Sequence, residues 1–174
     1  MPIVRASQPL DLPAITAIYR HHVLHGTGTF EIDPPSLHEM RARHQDVLTK
    51  GLPWLVAQAD DGQVLGYAYA NWFKPRPAFR FSAEDSIYVA ESARGQGLGR
   101  LLLDRLCHDC EVAGVRKLIA VIGDSANAGS IGLHQALGFT PVGTLTSVGW
   151  KFGRWLDTVF MEKSLGAGDQ TAPE

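Results

Sequence analysis

The chain has 174 residues, a hydrophobic fraction of 45% and 20% charged side chains, and its 16 Lys and Arg against 18 Asp and Glu leave a formal charge of -2. That is room for one domain with its own core, and it excludes a broad cationic field for nucleic acid or anionic lipid, so any phosphate has to be held locally. No apolar run approaches the length of a membrane span and Met1 to Arg5 lacks the apolar segment of a secretory signal, which together predict a cytoplasmic protein with no membrane partner.

Ile3-Val4-Arg5 reads as a short first strand. Asp11 is then expected to cap a helix whose apolar face, Leu12, Ile15, Ile18, Tyr19 and Val23, follows i, i+3, i+4 spacing. His21, His22 and His25 fall on its polar face; His21 and His25 stand one turn apart and could share a metal, although a solvated helix end accounts for them more simply. After Asp33-Pro34-Pro35, the stretch Ser36-Leu37-His38-Glu39 has the spacing of a capping box and opens a second helix that runs to about Lys50, before Gly51. Trp54–Gln58 and Val64–Ala70 are strand-like runs around the turn Asp60-Asp61-Gly62, which predicts an antiparallel hairpin. Lys74-Pro75-Arg76-Pro77 breaks the pattern as an exposed loop, and Phe81 to Val89 resumes it as a strand.

From there the order changes. A glycine loop leads into a helix from near Leu98 to Gly114, followed by a strand at Leu118–Ile122 and a helix from about Asn127 to Leu137 stopped by Gly138. Two more strands are read around Val142–Thr144 and Thr158–Met161. The expected fold class is mixed α/β, a central and mostly antiparallel twisted sheet flanked by about four helices. Residues 1–165 read as one domain, and 166–174, small and polar, as a disordered tail. Cys107 and Cys110 form a C-x-x-C inside a helix rather than at its start, and no second ligand pair lies at zinc spacing; this favours structural thiols over redox or metal chemistry, and no metal is expected.

The loop Arg94-Gly95-Gln96-Gly97-Leu98-Gly99 fails two familiar nucleotide patterns. A dinucleotide fingerprint from Gly95 would need glycine where Arg100 stands, and no Gly-Lys-Ser/Thr follows as in a phosphate-binding P-loop. What remains is glycine-lined backbone ahead of a helix N-terminus: either a tight turn into the helix, or a cradle of amides for a pyrophosphate with Arg94 as a nearby charge.

Arg94 to Gly99 matches the R/Q-x-x-G-x-G/A signature of the GNAT superfamily of N-acetyltransferases, and the order of elements resembles that fold. The likeness narrows through Thr29-Phe30-Glu31, Glu84-Asp85-Ser86-Ile87-Tyr88-Val89, Asn127 with Ser130 to Phe139, and Gly149 to Asp157, which resemble the phosphinothricin and methionine sulfoximine or sulfone N-acetyltransferase group. It spans Ile3 to about Leu165. The resemblance implies acetyl-CoA as donor, with its pyrophosphate on Arg94, Gly95, Gln96, Gly97, Leu98 and Gly99. It also implies a pantetheine arm along Ile87, Tyr88 and Val89, and contacts from Asn127 and Ser130. An amide near Val89 would polarise the acetyl carbonyl.

Glu84 matches the group's catalytic glutamate, and a partly desolvated carboxylate suits removal of a proton from an ammonium; Asp85 is a rival for that role or a substrate contact. His134 stands where many superfamily members have a tyrosine acid, so it is either a proton donor to the leaving thiolate or a packing residue. Asn127, read alone, is a helix cap. Trp72, Lys74, Arg76 and Arg80, with Phe30 and Glu31, are expected to line or gate the site of a small amino acid carrying an anionic group. Lys151 to Asp157 is read as a strand connection whose aromatics bury against a second chain, giving a homodimer. Two alternatives stand beside this: the same chemistry on a polyamine, aminoglycoside or peptide N-terminus, and an acyl-CoA-binding module without catalysis.

Overall fold

The computed structural model describes residues 2–173. Seven strands, β1 (Ile3–Ala6), β2 (Trp54–Gln58), β3 (Val64–Trp72), β4 (Ser82–Val89), β5 (Lys117–Gly123), β6 (Thr140–Lys151) and β7 (Arg154–Ser164), form one sheet in the order β1-β2-β3-β4-β5-β7-β6. Every neighbouring pair is antiparallel except β4 with β5. Four α-helices flank it: α1 (Leu12–His25), α2 (Leu37–Thr49), α3 (Leu98–Val112) and α4 (Ala128–Ala136).

The two sides of the sheet carry different residues because strand side chains alternate. On one side Tyr67 and Tyr69 stack beside Trp54, and the Tyr88 ring meets Tyr19 of α1 edge-on at 4.9 Å. Tyr19 belongs to the apolar stripe read from the sequence, which is buried throughout. On the other side β3 offers Gly66, Ala68 and Ala70, and this small-residue strip admits α3, whose Leu102, Leu103 and Leu106 are fully buried. Gly66 is needed there, since a Cβ would sit 3.0 Å from the Tyr88 carbonyl oxygen and 3.4 Å from Leu102. Burying such leucines stabilises by about 2 kcal/mol each.

The second helix begins as its sequence predicts, with Ser36 Oγ accepting from the Glu39 amide and Glu39 returning a bond to the Ser36 amide. The first begins differently. Asp11 does not cap α1; its carboxylate is turned back to receive both terminal nitrogens of Arg5 at 2.8 Å and the Gln8 amide at 2.7 Å, because Arg5 on β1 offers a bidentate charged partner. The last two strands are also longer than the short runs legible in the sequence. Lys151 to Asp157 is part of a long hairpin whose two-residue turn, Phe152-Gly153, has positive φ at both positions (52° and 70°), the geometry that matches strand twist. Beyond β7, Gly168 and Gln170 donate to Leu165 and Ala167, and Arg116 reaches the Thr171 hydroxyl at 3.2 Å.

Candidate active site

The one parallel pairing creates the site. Strands β4 and β5 are in register from Ser82/Lys117 to Asp85/Ala120 and then separate, while β5 continues to Gly123 against β7. Ala90 N donates to Leu65 O and Phe73 N to Ser82 O, so the main-chain groups of Ser82, Glu84, Ser86 and Tyr88 are turned to β3. Those of Ile87 and Val89 then point into the gap that β5 has left. Tyr88 therefore contributes its ring, packed on Tyr19 and on His22 (5.2 Å), and not its peptide groups. The Val89 carbonyl has a partner already: His22 Nε2–H donates to it at 2.9 Å. Burial, more than that bond compensates, holds the His22 imidazole below its ordinary pKa.

Two cavities meet at this gap. The smaller, about 310 Å³, is lined by Ile87, Val89, Arg94, Gly95, Gly97, Leu98, Gly99, Ser130 and their neighbours. Gly95 and Gly97 have φ of 75° and 78°, left-handed backbone that glycine adopts freely, and Gly97 is the cap of α3. Arg100 N and Leu101 N both bond to the Gly97 carbonyl, so the first-turn amides before them face the cavity with no acceptor within the helix. These residues fit a pyrophosphate. Gly99 has another task, since a Cβ there would come to 3.2 Å from Leu133 and hold α4 away. Gln96 lines neither cavity; its amide bonds weakly to Ser92 O at 3.4 Å.

The larger cavity, about 710 Å³, contains Glu84, Phe30, Glu31, Tyr19, Asn127, Ser130 and the whole segment Gly26 to Glu31. Glu84 faces it from β4, and burial, aided by the charge of Asp85 and opposed by Lys74, raises its pKa from 4.5 to about 7. Asp85, on the opposite face of the strand, accepts from His134 Nε2 at 2.9 Å, and the two side chains are 2% and 4% exposed. Asp85 and His134 also line the larger cavity, but there the Asp85 carboxylate is engaged by His134 rather than free like that of Glu84. The other ring nitrogen of His134 lies 2.7 Å from the Ser130 carbonyl. Both partners are acceptors, so the imidazole has no free N–H for a leaving thiolate, and the expectation of His134 as an acid gives way to a buried pair. Burial pulls the His134 pKa down, but the Asp85 bond and charge, with the Ser130 carbonyl, leave it raised. Asn127 does cap α4, accepting from Ser130 N at 3.2 Å, and its amide nitrogen remains turned toward Gly28.

Glu31 is organised by Arg43, which the sequence did not single out, and by Tyr19, which the sequence marked only as part of an apolar helix face. Arg43 of α2 grips both its oxygens at 2.5 and 3.1 Å and the Tyr19 hydroxyl donates at 2.8 Å, which together outweigh burial and lower its pKa. By contrast, Trp72, Lys74, Arg76 and Arg80 line neither cavity. Trp72 is half-buried beneath Lys50, Lys74 lies over Phe73, and Arg80 lies over Phe81, while Lys74 stays near enough for its charge to act on Glu84. Among the described residues no group of three His, Cys, Asp or Glu converges as metal ligands.

The site thus has a gap beside β4, an amide cradle at α3 on one side of it and a desolvated carboxylate, Glu84, in the larger cavity. Residues 16–139 match the acetyltransferase (GNAT) family. The chain belongs to that family. It is 57% identical to the phosphinothricin N-acetyltransferase of Alcaligenes faecalis over 171 residues, 98% of this chain and 86% of that protein. It is 42% identical to an L-methionine sulfoximine/L-methionine sulfone acetyltransferase of Pseudomonas aeruginosa, over 93% of this chain and 94% of the other. Its fold superposes with a TM-score of 0.96 on a GNAT superfamily phosphinothricin acetyltransferase from Sinorhizobium meliloti solved with acetyl-CoA. That protein shares 46% identity, with 99% of this chain and 93% of the other covered. Within this GNAT chain, sequence reasoning missed Tyr19, His22, Arg43 and Lys151. His22, read from the sequence on the polar face of α1, instead turns to the side of Tyr19, three residues earlier, and packs on Tyr88; Arg43 and Lys151 carry no local signal.

Proposed function

We propose that the protein transfers the acetyl group of acetyl-CoA to the amino group of a small amino acid analogue of the phosphinothricin, methionine sulfoximine or methionine sulfone type. Transfer is direct, with donor and acceptor bound together. The observation that carries this reading is the position and titration of Glu84: a carboxylate half-buried in the wall of the larger cavity, with its pKa raised to about 7, accepts a proton from an ammonium at neutral pH. The amine nitrogen then forms a bond to the thioester carbonyl carbon, the carbon–sulfur bond breaks, and the sulfur leaves as a thiolate, which needs little acid assistance. Main-chain groups of Ile87 and Val89 bind the pantetheine arm as a neighbouring strand would. The Val89 amide is the donor best aimed at a developing oxyanion. The amides of Gly95 to Gly99, with Arg94, bind the pyrophosphate, and Asn127 and Ser130 close the opposite wall.

On the acceptor side Phe30 and Glu31 are the lining residues this reading retains, and the reaction is assigned to the cytoplasm, where the donor is available. A homodimer goes with it. The edge hairpin exposes Leu145, Val148, Trp150, Phe152 and Trp155, each more than half exposed, a face too apolar and too long to be left in water. A second copy is the occupant proposed.

An acetyl-CoA consumption assay across phosphinothricin, methionine sulfoximine, methionine sulfone, polyamines and aminoglycosides tests the reading. Turnover confined to the amino acid analogues is expected, and turnover confined to polyamines or aminoglycosides would overturn it.

A further inference from the structure

The segment Gly26 to Glu31 lines the larger cavity, the one that holds Glu84, along its whole length and does not line the smaller one beside the glycine loop. It has no regular secondary structure of its own, and three contacts from behind fix it. Gly123 at the end of β5 lets Thr27 O approach so closely that any Cβ would overlap it. Gly149 on β6 does the same for the Phe30 ring. Between them Lys151, 4% exposed, donates to Gly26 O at 2.9 Å and to Thr29 O at 2.8 Å, with its ammonium 5.0 Å from the Phe152 ring centre. No carboxylate pairs with this ammonium among the described residues. An ammonium buried on main-chain carbonyls is costly unless its bonds are well made, and here they close the two ends of one loop.

We propose that Lys151 is a positioning residue for the acceptor: by clamping Gly26 and Thr29 from the β6–β7 hairpin, it sets where Phe30 and Glu31 stand in the cleft. Gly149 and Lys151 share the inward face of β6, while Trp150 between them faces outward and meets Trp155 of β7. Whatever covers the outer aromatics is thereby one strand away from the acceptor wall.

The test uses Lys151→Met, which keeps the stem and removes the donors, and Gly149→Ala, which displaces Phe30 independently. Steady-state kinetics should give an acceptor KM raised about tenfold in each, with the acetyl-CoA KM within about twofold of wild type. Hydrogen exchange read by mass spectrometry should be about tenfold faster for the amides of Thr27 to Glu31 and unchanged for Gly95 to Leu98. The kinetic arm rests on the function proposed above, whereas the exchange arm does not and decides the matter if wild type acetylates none of the panel. A fall in kcat with both KM values unchanged, or unaltered exchange at residues 27–31, would overturn the proposal. Failure of both variants to fold would also overturn it, by assigning the pair to global stability.

Discussion

The donor half of the cleft is made of backbone and the acceptor half of side chains. On the proposed reading, a donor around Ile87, Val89, Gly95 and Gly97 would meet main-chain groups whose directions are set by strand register and by two left-handed glycines. Around Glu84, Glu31 and Phe30 an acceptor would meet groups whose positions depend on Arg43, Tyr19, Lys151 and Gly149, brought in from distant parts of the chain. A site of the first kind suits a ligand common to many enzymes, because backbone geometry survives exchange of side chains. A site of the second kind suits a ligand that must be distinguished from near neighbours.

The sharpest way to break that division is to remove the side chain to which the proposed reading gives the proton transfer. Glu84→Gln should lower turnover by about two orders of magnitude, the scale of losing a general base, while calorimetry gives a coenzyme A affinity unchanged from wild type. A loss of coenzyme A binding would mean that the halves are not separable. Next in size, Gly97→Ala forces a side chain into φ of 78° and toward the cavity. It should weaken coenzyme A binding by about tenfold, with the strain costing about 1–2 kcal/mol, and leave the acceptor KM unaltered. An effect on the acceptor KM alone would reverse the assignment of the two halves.

Smaller effects come from titration. Since Glu84 must be ionised to accept a proton, kcat/KM for the acceptor should rise as pH passes through about 7. Asp85→Asn removes a charge that raises the Glu84 pKa, so the acidic limb of the profile should move to lower pH, along with a loss of stability from breaking the buried pair with His134. The sign for folding is opposite to that for activity. A carboxyl raised from 4.5 to about 7 on folding contributes stability that is complete below the lower value and lost as pH climbs through the higher one. Thermal melts should accordingly find Glu84→Gln gaining on wild type at about pH 8 relative to about pH 5.

What was legible in the sequence follows the same division. The apolar stripe of α1, the Ser36 capping box, the hairpin at Asp60-Asp61-Gly62 and the glycine loop are local patterns, and each is found where the pattern puts it. Glu84 was identified through resemblance, and it lines the larger cavity. Side-chain partnerships across the chain were not legible. Asp11 looked like a cap until Arg5 claimed it, His134 looked available until Asp85 and Ser130 took both nitrogens, and Lys74, Arg76 and Arg80 were expected to line or gate the site but line neither cavity, Lys74 and Arg80 lying over neighbouring rings. In each case the deciding partner lies on another element, or on an aromatic whose orientation a sequence does not record.

The parting of β4 from β5 leaves the middle of the sheet with a seam that protein alone does not stitch. An extended ligand arm seated there would act as an eighth, removable strand, so that loading the donor ought to firm up the centre of the molecule as well as its surface. At a coenzyme concentration a hundredfold above its dissociation constant, mass action alone would add about 2.7 kcal/mol against unfolding. The fold would be at its most rigid when it is ready to react.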